Sequence, residues 1–222
     1  MPRNARIVIP KYPHHVVQRG NRLQKVFFSD ADKNAYLEFL KNSSKKHSLE
    51  IWAYCLMDNH VHLIVVPENE QSLSKAIGET HLQYTRFINF REGWRGYLWQ
   101  GRFSSSCLDN KHLFAAIRYV ETNPVRAGIV NKAENYPWSS ARFHLNKEKS
   151  DLLTNNFFTD EIKNWDEYLS GHKKDDTIQQ IRKLVKTGKP LGDNEFIEKI
   201  EKQTGKRLKR IKPGPKKINA KN

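Results

Sequence analysis

The chain has 222 residues and carries 39 lysines and arginines against 24 aspartates and glutamates, so its formal net charge at neutral pH is +15. Such an excess predicts a polyanionic partner, either nucleic acid or an acidic membrane surface. A membrane partner is the weaker alternative, because no apolar run approaches the roughly 18–20 residues that span a bilayer. The start, Met1–Arg6, is followed by too short an apolar stretch for a signal peptide.

The two cysteines, Cys55 and Cys107, each fall in a strand-like run. Cysteines this sparse predict reduced, buried thiols in a protein of the cytoplasm. A zinc site built on either would need further cysteines or histidines at ligand spacing, and neither has them. We therefore expect both to be plain core residues.

The pattern of apolar residues predicts alternating strands and helices. The expected elements, in chain order, are a strand over 14–19, a helix capped by Asp30 and running to about 46, strands over 51–57 and 60–66, a helix over about 70–91, a strand over 101–108 and a helix over about 111–122 capped by Asn110. Asp58 and Asn59 suit a two-residue hairpin turn, since both tolerate positive φ. The order predicts an α+β fold, a ferredoxin-like split βαβ sheet with an added helix.

The composition changes after about residue 150, which predicts a main domain over 1–150 and a small helical, basic C-terminal region over 151–222. Short helices are expected there over 160–169, 175–187 and 194–203. From Lys206 onward the chain has eight basic residues and no acidic one. That composition is typical of a flexible tail that binds a polyanion.

His60 and His62 are separated by one residue at the start of a strongly apolar run. Residues two apart in a strand point to the same face, so the two imidazoles could converge on one metal ion. Because Asp58 and Asn59 form the preceding turn, both histidines would lie near one end of the sheet. Spacing alone leaves a second interpretation open, in which they are simply exposed histidines at a strand end.

Tyr119 and Asn123 lie about one helical turn apart, on a flank of the stripe that their helix is expected to bury. A tyrosine beside a metal ion would be a nucleophile aimed at phosphate. An amide oxygen from Asn123 could complete a three-ligand set that leaves positions open for the phosphate. Pro124 disfavours helical geometry at Asn123, so the helix is expected to end there. The alternative is a packed tyrosine with a satisfied hydroxyl.

Residues 91–103 interleave arginines with large aromatic rings. Aromatic faces stack on unpaired bases while arginines hold the backbone, so the segment predicts contact with single-stranded nucleic acid. Its arginines are Arg91, Arg95 and Arg102. In the alternative interpretation, Trp99 and Phe103 belong to the core and the arginines are only solvated.

The other seven histidines are less informative. His14 and His15 are adjacent and therefore face opposite ways in a strand, so they cannot both join a metal site, and either is expected to support it at most indirectly. The remaining five have no partner at ligand spacing and are expected to be ordinary surface or core residues: His47, His81, His112, His144 and His172.

Several blocks of the sequence, in the same order, resemble bacterial single-tyrosine transposases, whose signature is a His-hydrophobic-His motif. The matching blocks are Pro13–Asn21, Tyr54–Val65, Trp99–Phe103 and Arg118–Gly128. The segments Gly188–Asp193 and Pro213–Lys217 resemble the REP-associated tyrosine transposases in particular. The resemblance spans nearly the whole chain, and several blocks in one order are more specific than any single block.

The resemblance implies roles for individual residues. The family's paired metal ligands fall on His60 and His62, its nucleophile on Tyr119, and its third, polar ligand on Asn123. The metal of its members is magnesium or manganese. Ligand type alone favours manganese, because imidazole suits borderline ions better than magnesium.

The activity that the resemblance implies is metal-dependent cleavage and joining of single-stranded DNA. Tyr119 would give a 5′-phosphotyrosine and a free 3′ hydroxyl, a covalent link that a second 3′ hydroxyl can reverse without ATP. The implied substrate is a short DNA hairpin, bound by a monomer or a homodimer. The residues expected to contact DNA are Arg91, Arg95, Arg102, Arg118, Arg126, Lys206, Arg207, Lys209, Arg210 and Lys212.

Two alternatives remain open from the sequence. A non-catalytic, domesticated nucleic-acid-binding protein would use the same basic surface without needing Tyr119, and a hydrolytic nuclease would leave no protein–DNA link. One departure from the family concerns recognition: Lys189 and Lys212–Pro215 stand where relatives often have a Gly-Arg-Pro motif. Lysine lacks the bidentate fork of arginine, so phosphate binding is expected there more than sequence-specific contact.

Overall fold

The computed structural model of the chain describes residues 6–154, 157–171, 181 and 187–208. Within them, one sheet contains β1 (His14–Arg19), β2 (Leu49–Met57), β3 (His60–Pro67) and β4 (Ser104–Cys107). The helices are α1 (Asp30–Lys46), α2 (Ser72–Glu92), α3 (Asn110–Glu121), α4 (Asn123–Arg126), α5 (Ala141–Asn146), α6 (Phe157–Glu161), α7 (Trp165–Ser170) and α8 (Asn194–Thr204). Short 3-10 turns cover Asn21–Leu23 and Ala133–Asn135. None of the helices in these ranges has the length and apolar character to cross a membrane.

The sheet is antiparallel throughout and has the strand order β2-β3-β1-β4. This order, with one helix after β1 and one after β3, is the predicted ferredoxin-like split βαβ plan, so the predicted α+β fold is confirmed. β3 is an inner strand: His60 pairs with Met57 of β2 on one side and with Arg19 of β1 on the other. The end of the sheet that holds the β2–β3 turn therefore also holds the end of β1.

Alternate residues of β3 face two separate cores. Leu63 and the residues in phase with it pack with α1 and α2. Ile64 lies in the opposite core, together with Ile117 of α3. Because side chains alternate along a strand, His60 and His62 are in phase with Ile64. The histidines thus point to the face of the sheet that α3 covers.

The predicted caps of two helices are each wrong by one residue. Ser29, not Asp30, caps α1: its hydroxyl accepts from the Asp32 N–H, and the Asp32 carboxylate accepts from the Ser29 N–H. This reciprocal pair is a capping box. Asp109, not Asn110, caps α3. In both helices the true cap is the residue before the predicted one, and its side chain accepts a hydrogen bond from the N–H of the residue three positions after it.

The other element ends differ modestly from the predictions. β4 begins at Ser104 instead of 101, because Gly101 has a φ of +66°, a left-handed conformation that ends the extended chain. The single helix expected over 160–169 is two short helices, α6 and α7. The helix expected over 194–203 is α8. The predicted helix over 175–187 and the predicted flexible tail lie largely outside the described residues.

Both cysteines are free and buried, as predicted. Trp99 and Phe103 are also buried, in the core beneath α1 and α2. For these two rings the core interpretation is therefore the right one. The aromatic side chains of the 91–103 segment that remain exposed are Trp94 and Tyr97.

The β2–β3 turn is held by the loop that follows β1. The carbonyl oxygen of Asp58 accepts from the N–H groups of Val26 and Phe27, at 2.8 and 3.0 Å. Gly20 allows this loop to fold so tightly, because a Cβ at that position would lie 2.2 Å from the carbonyl oxygen of Gln24. The loop thereby fixes the turn that precedes the two histidines.

The C-terminal segment packs on the β4 edge of the sheet. Leu191 forms a parallel bridge with Leu108, and its N–H donates to the carbonyl of Cys107 at 2.8 Å. Phe196 and Ile200 of α8 add a small third core beside this edge. The domain boundary at residue 150 stays a prediction, and the described residues beyond it pack closely against those before it.

A buried carboxylate ties the C-terminal end of α3 to α5 and α7. Glu121 has no exposed surface. Its Oε1 accepts from the Ser140 hydroxyl and from His144 Nδ1, and its Oε2 accepts from Trp165 Nε1 at 2.8 Å. Burying a carboxylate is costly unless donors surround it, and here three do. The network fixes the end of α3 two residues beyond Tyr119.

Replacing Glu121 with alanine should lower the free energy of unfolding by about 3–5 kcal/mol, because three donors lose their common buried acceptor. Urea unfolding followed by circular dichroism measures the change. Glu148→Ala is a matched control, since this carboxylate is partly exposed and lies 3.8 Å from Arg142; its loss should cost no more than about 0.5 kcal/mol. Equal stability losses in the two variants would contradict the role of Glu121.

Candidate active site

Two histidines of β3 lie side by side at one end of the sheet. His60 is the first residue of the strand and His62 the third, and their ring centroids are 4.9 Å apart with the planes at 85°. His62 is buried and His60 is half-buried. The two imidazoles share one face of the strand, as their spacing predicts.

The Nδ1 atom of each ring is engaged by a neighbouring side chain. Asn59 donates from Nδ2 to the carbonyl of Leu23, which turns its Oδ1 toward His60. His60 Nδ1–H donates to that oxygen at 2.6 Å, so Nε2 of this ring carries the lone pair. His62 Nδ1 lies 3.0 Å from His15 Nε2. Bonds at Nδ1 that orient the ring are the usual support for a metal on Nε2.

Burial keeps these rings neutral. It lowers the pKa of His60 to about 4, with a further contribution from the charge of Arg19. It also lowers the pKa of His62 well below its ordinary value and the pKa of His15 to about 3. The neutral imidazole is the form that binds a metal ion, so all three rings are in that form at neutral pH.

The sequence pattern did not predict that His15 contacts His62 directly. It lies on β1 with its side chain on the same face as His62, and the two rings stack with centroids 5.2 Å apart. His14 faces the other way, between the Ile9 N–H and the Tyr12 carbonyl. The sequence predicted that at most one of His14 and His15 would support the metal site indirectly. The register between β1 and β3 shows that it is His15.

The remaining described histidines have structural partners elsewhere in the fold. His47 contacts Glu79, His81 the Tyr36 hydroxyl, His112 Asp109, and His144 Glu121. These contacts agree with the expectation of ordinary surface or core residues. His172 lies outside the described residues.

Tyr119 of α3 lies over the histidine cluster. Its ring centroid is 5.5 Å from that of His62 and 6.0 Å from that of His15, edge to face in both cases. The residue is only 8% exposed. The guanidinium carbon of Arg126 lies 4.0 Å from the ring centroid, a cation–π contact. The phenol is therefore confined between neutral imidazoles and one positive charge.

Arg126 also links Tyr119 to Asn123. Its Nη1 donates to the Tyr119 carbonyl at 2.8 Å, and its Nη2 donates to Asn123 Oδ1 at 3.3 Å. α3 ends at Glu121 and Asn123 begins α4, so the two residues do not share the continuous helix that their spacing suggests. Asn123 Nδ2 is buried without a hydrogen-bond partner among the residues that the structure describes. Asn123 joins the cluster through the arginine.

The donor set fits a divalent ion. His60 and His62 offer ring nitrogens, and the Asn123 oxygen keeps a second lone pair beside its long bond from Arg126. Within the described ranges, no three His, Cys, Asp or Glu side chains could hold a metal by themselves. A third ligand would therefore be this amide oxygen or a substrate atom. Such a set leaves coordination positions open for a phosphate oxygen.

The basic residues predicted to contact DNA differ in their surroundings. Three are engaged within the fold: Arg91 pairs with Asp32 and Glu92, Arg118 contacts the Gly171 carbonyl and the Tyr168 ring, and Arg126 contacts Tyr119 and Asn123. Four others are exposed: Arg95, Arg102, Lys206 and Arg207. Lys209, Arg210 and Lys212 lie outside the described residues. The exposed group is the more available to phosphate.

A basic groove of about 750 Å³ lies between the start of β4 and the C-terminal segment. Its basic lining residues are Arg6, Arg102, Lys189, Lys206 and Arg207, and none of its described lining residues is acidic. Burial, together with the charge of Arg102, lowers the pKa of Arg6. Positive charge gathered without a paired carboxylate indicates an anionic ligand.

Comparisons with known proteins agree with the motif analysis. The family model described as Transposase IS200 like matches residues 9–123. A curated protein of Haemophilus influenzae, whose name assigns it to the REP-associated tyrosine transposases, is 29% identical over 122 residues, which cover 50% of this chain and 68% of that protein. A solved structure of a REP-associated tyrosine transposase bound to a REP hairpin matches with a TM-score of 0.57 at 20% identity, over 70% of this chain and 93% of that one.

The range matched by the family model takes in just over half of the chain and runs from the segment before β1 to Asn123. It contains both histidines of β3 and Tyr119. The structural match, at 20% identity, shows that the fold is shared. The resemblance to REP-associated tyrosine transposases is confirmed, and the chain belongs to the family of IS200-like transposases.

Proposed function

We propose that the chain is a metal-dependent endonuclease and strand transferase that cuts and joins single-stranded DNA beside a hairpin. The observation that carries the chemistry is the position of the Tyr119 ring, 5.5 Å from the ring of His62. Hairpin recognition rests on the motif resemblance and on the relative whose structure contains a REP hairpin. The protein would act in the cytoplasm as a monomer or a homodimer, with residues 1–150 carrying the chemistry and 151–222 adding DNA contacts.

In the proposed reaction, the hydroxyl oxygen of Tyr119 attacks the phosphorus of a phosphodiester. A bond forms between phosphorus and the phenolic oxygen, the bond from phosphorus to the 3′ oxygen breaks, the phenolic proton passes to solvent, and the leaving oxygen gains a proton. The 5′ end stays on the protein, and attack by another 3′ hydroxyl can join strands without ATP. A bound magnesium or manganese ion would neutralise charge on the phosphoryl oxygens.

The residues around Tyr119 would orient the reactants. Arg126 confines the phenol and donates to the Tyr119 carbonyl. His15 and Asn59 hold the rings of His62 and His60 through their Nδ1 atoms. Groups that are already in place need no rearrangement during the reaction, and such preorganisation supplies much of the electrostatic stabilisation in active sites.

Tyr119→Phe should abolish any covalent adduct with single-stranded DNA and leave its affinity nearly unchanged, because only the hydroxyl is lost. A labelled hairpin oligonucleotide is incubated with magnesium or manganese, denatured and run on a gel, while fluorescence anisotropy measures binding. Tyr12→Phe is the matched control, since this ring packs on Phe196 beyond the opposite end of β1; it should form the adduct at the wild-type level.

The same gel separates the alternatives. An undiminished adduct in Tyr119→Phe would refute the nucleophile. Cleavage without an adduct in the wild-type protein would indicate a hydrolytic nuclease. Binding with neither cleavage nor adduct would indicate the non-catalytic nucleic-acid-binding protein.

Loss of a ring nitrogen should weaken metal binding independently of catalysis. We expect His60→Ala and His62→Ala to lose measurable Mn²⁺ affinity. His15→Ala should weaken it by about 10- to 100-fold, because the ring of His62 loses its orienting partner. Calorimetric titration of the DNA-free protein with Mn²⁺ measures these changes. His47→Ala, which removes a histidine paired with Glu79, is the control; a loss as large in that variant would rule out a specific site.

The basic groove predicts the salt dependence of DNA binding. Removing one cation that neutralises a phosphate should reduce the slope of log affinity against log salt concentration by about 0.7 for a single strand or about 0.9 for a duplex. We expect such a reduction in Arg102→Gln and in Arg207→Gln, measured by anisotropy between low and physiological salt. Lys75→Gln, an exposed lysine of α2, is the control. Unchanged slopes in both groove variants would exclude the groove from phosphate binding.

A further inference from the structure

Large apolar side chains are exposed together at the end of α2 and in the loop after it. Phe90 is 92% exposed and Tyr97 is 88% exposed. Trp94 lies between them in the sequence and is 45% exposed, and Phe28 of the neighbouring loop is 44% exposed. Single exposed apolar residues are common on protein surfaces, but a group of aromatic rings marks a binding surface. Phe28, Phe90, Trp94 and Tyr97 are called the aromatic platform.

The aromatic platform has a defined shape. The Phe28 and Trp94 rings meet edge to face at 5.7 Å. Asn89 holds the loop back on α2, because its carbonyl accepts from the Trp94 N–H and its side chain donates to the Gly96 carbonyl. Gly93 and Gly96 supply the positive φ angles that this reversal needs. The rings are thus presented by a loop that the fold itself holds in place.

The aromatic platform lies beside the histidine end of the sheet. Leu98, the residue after Tyr97, accepts from the N–H of Asn21 at 2.9 Å. Leu23 lies two residues after Asn21, and its carbonyl accepts from the side chain of Asn59. The same side chain accepts from His60 Nδ1. A short series of hydrogen bonds therefore connects the loop that carries Tyr97 to the metal-site histidine.

Charge decides which occupant fits. Residues 86–97 contain three arginines and one acidic residue, Glu92, which accepts from Arg91. A second copy of the chain, docked by two-fold symmetry on this surface, would bring its own arginines against these. A strand of DNA instead offers phosphates to Arg86 and Arg95 and flat faces to the rings. Every base has such a face, so stacking tolerates any sequence.

We propose that Phe90 and Tyr97 are stacking sites for unpaired bases, and that the aromatic platform guides the single-stranded flank of the DNA toward His60. This proposal rests on the proposed function for its DNA substrate. Arg95, which is exposed and adjacent to Trp94, contacts the phosphate backbone of the same strand. The duplex part of the hairpin makes no contact with the aromatic platform.

The test compares two labelled oligonucleotides, a hairpin with an unpaired flank and the same hairpin with a blunt end. Affinities are measured by fluorescence anisotropy without a divalent metal, so that no cleavage intervenes. Phe90→Ala and Tyr97→Ala should each weaken binding of the flanked hairpin by about fivefold or more and leave the blunt hairpin unaffected. Both side chains are almost wholly exposed, so the variants should fold normally.

Conservative variants separate stacking from simple apolar contact. Tyr97→Phe keeps the ring and should retain wild-type affinity for the flanked hairpin, whereas Tyr97→Leu should lose as much as Tyr97→Ala. Ile129→Ala removes an apolar side chain that is 52% exposed elsewhere on the surface and should change nothing. Full affinity in Tyr97→Leu would overturn the stacking role.

Two further outcomes would also overturn the proposal. One is an equal loss of affinity for the flanked and the blunt hairpin. The other is a dimer, seen by sedimentation velocity, that dissociates in Phe90→Ala and Tyr97→Ala while their DNA affinities stay at the wild-type level. The proposed chemistry can fail separately. If the wild-type protein forms no covalent adduct while the two alanine variants still lose affinity for the flanked hairpin, the aromatic platform is supported and only the proposed chemistry is refuted.

Discussion

The register of β3 within the sheet is the constraint on which the rest of the site depends. Side chains alternate along a strand, so a slip of one residue would turn His60 and His62 toward α1 and α2 and bring Leu63 to the face beneath α3. Pairing on both sides of β3 opposes that slip, and the loop that binds the Asp58 carbonyl holds the turn from outside. The apolar residues of β3 therefore place the two histidines as firmly as the turn before them does.

The phenol is held over the histidines by contacts at the end of α3. Glu121 binds the end of α3 to α5 and α7, and Arg126 closes over the Tyr119 ring from α4. The three imidazoles are neutral because they are buried, so they do not add to the positive charge of Arg126. Positive charge beside the phenol therefore comes from Arg126, and Arg19 adds to it at the two histidines of β3. Such a field suits a phosphate group.

Local patterns predict the elements well and the contacts between elements poorly. The period of two placed His60 and His62 on one face, and the helical period placed Tyr119 on a flank of α3, because each depends on neighbours in the sequence. The place of His15 depends on the pairing of β1 with β3, because the residue that it contacts, His62, is 47 residues away in the sequence. Asp32, which pairs with Arg91, and Gly171, which accepts from Arg118, are likewise distant in the sequence, so charge alone did not distinguish these arginines from Arg95 and Arg102.

The arginines and aromatic residues of the segment over 91–103 lie in different surroundings, although they alternate along the whole segment. Its middle is fixed to the end of β1: Leu98 accepts from Asn21, and Gln100 donates to the Arg19 carbonyl at 2.8 Å. The aromatic platform precedes this attachment and the basic groove follows it, and Arg19 itself pairs with His60 across the sheet. The positions of Tyr97 and Arg102 relative to the histidines are therefore set by backbone hydrogen bonds at the end of β1.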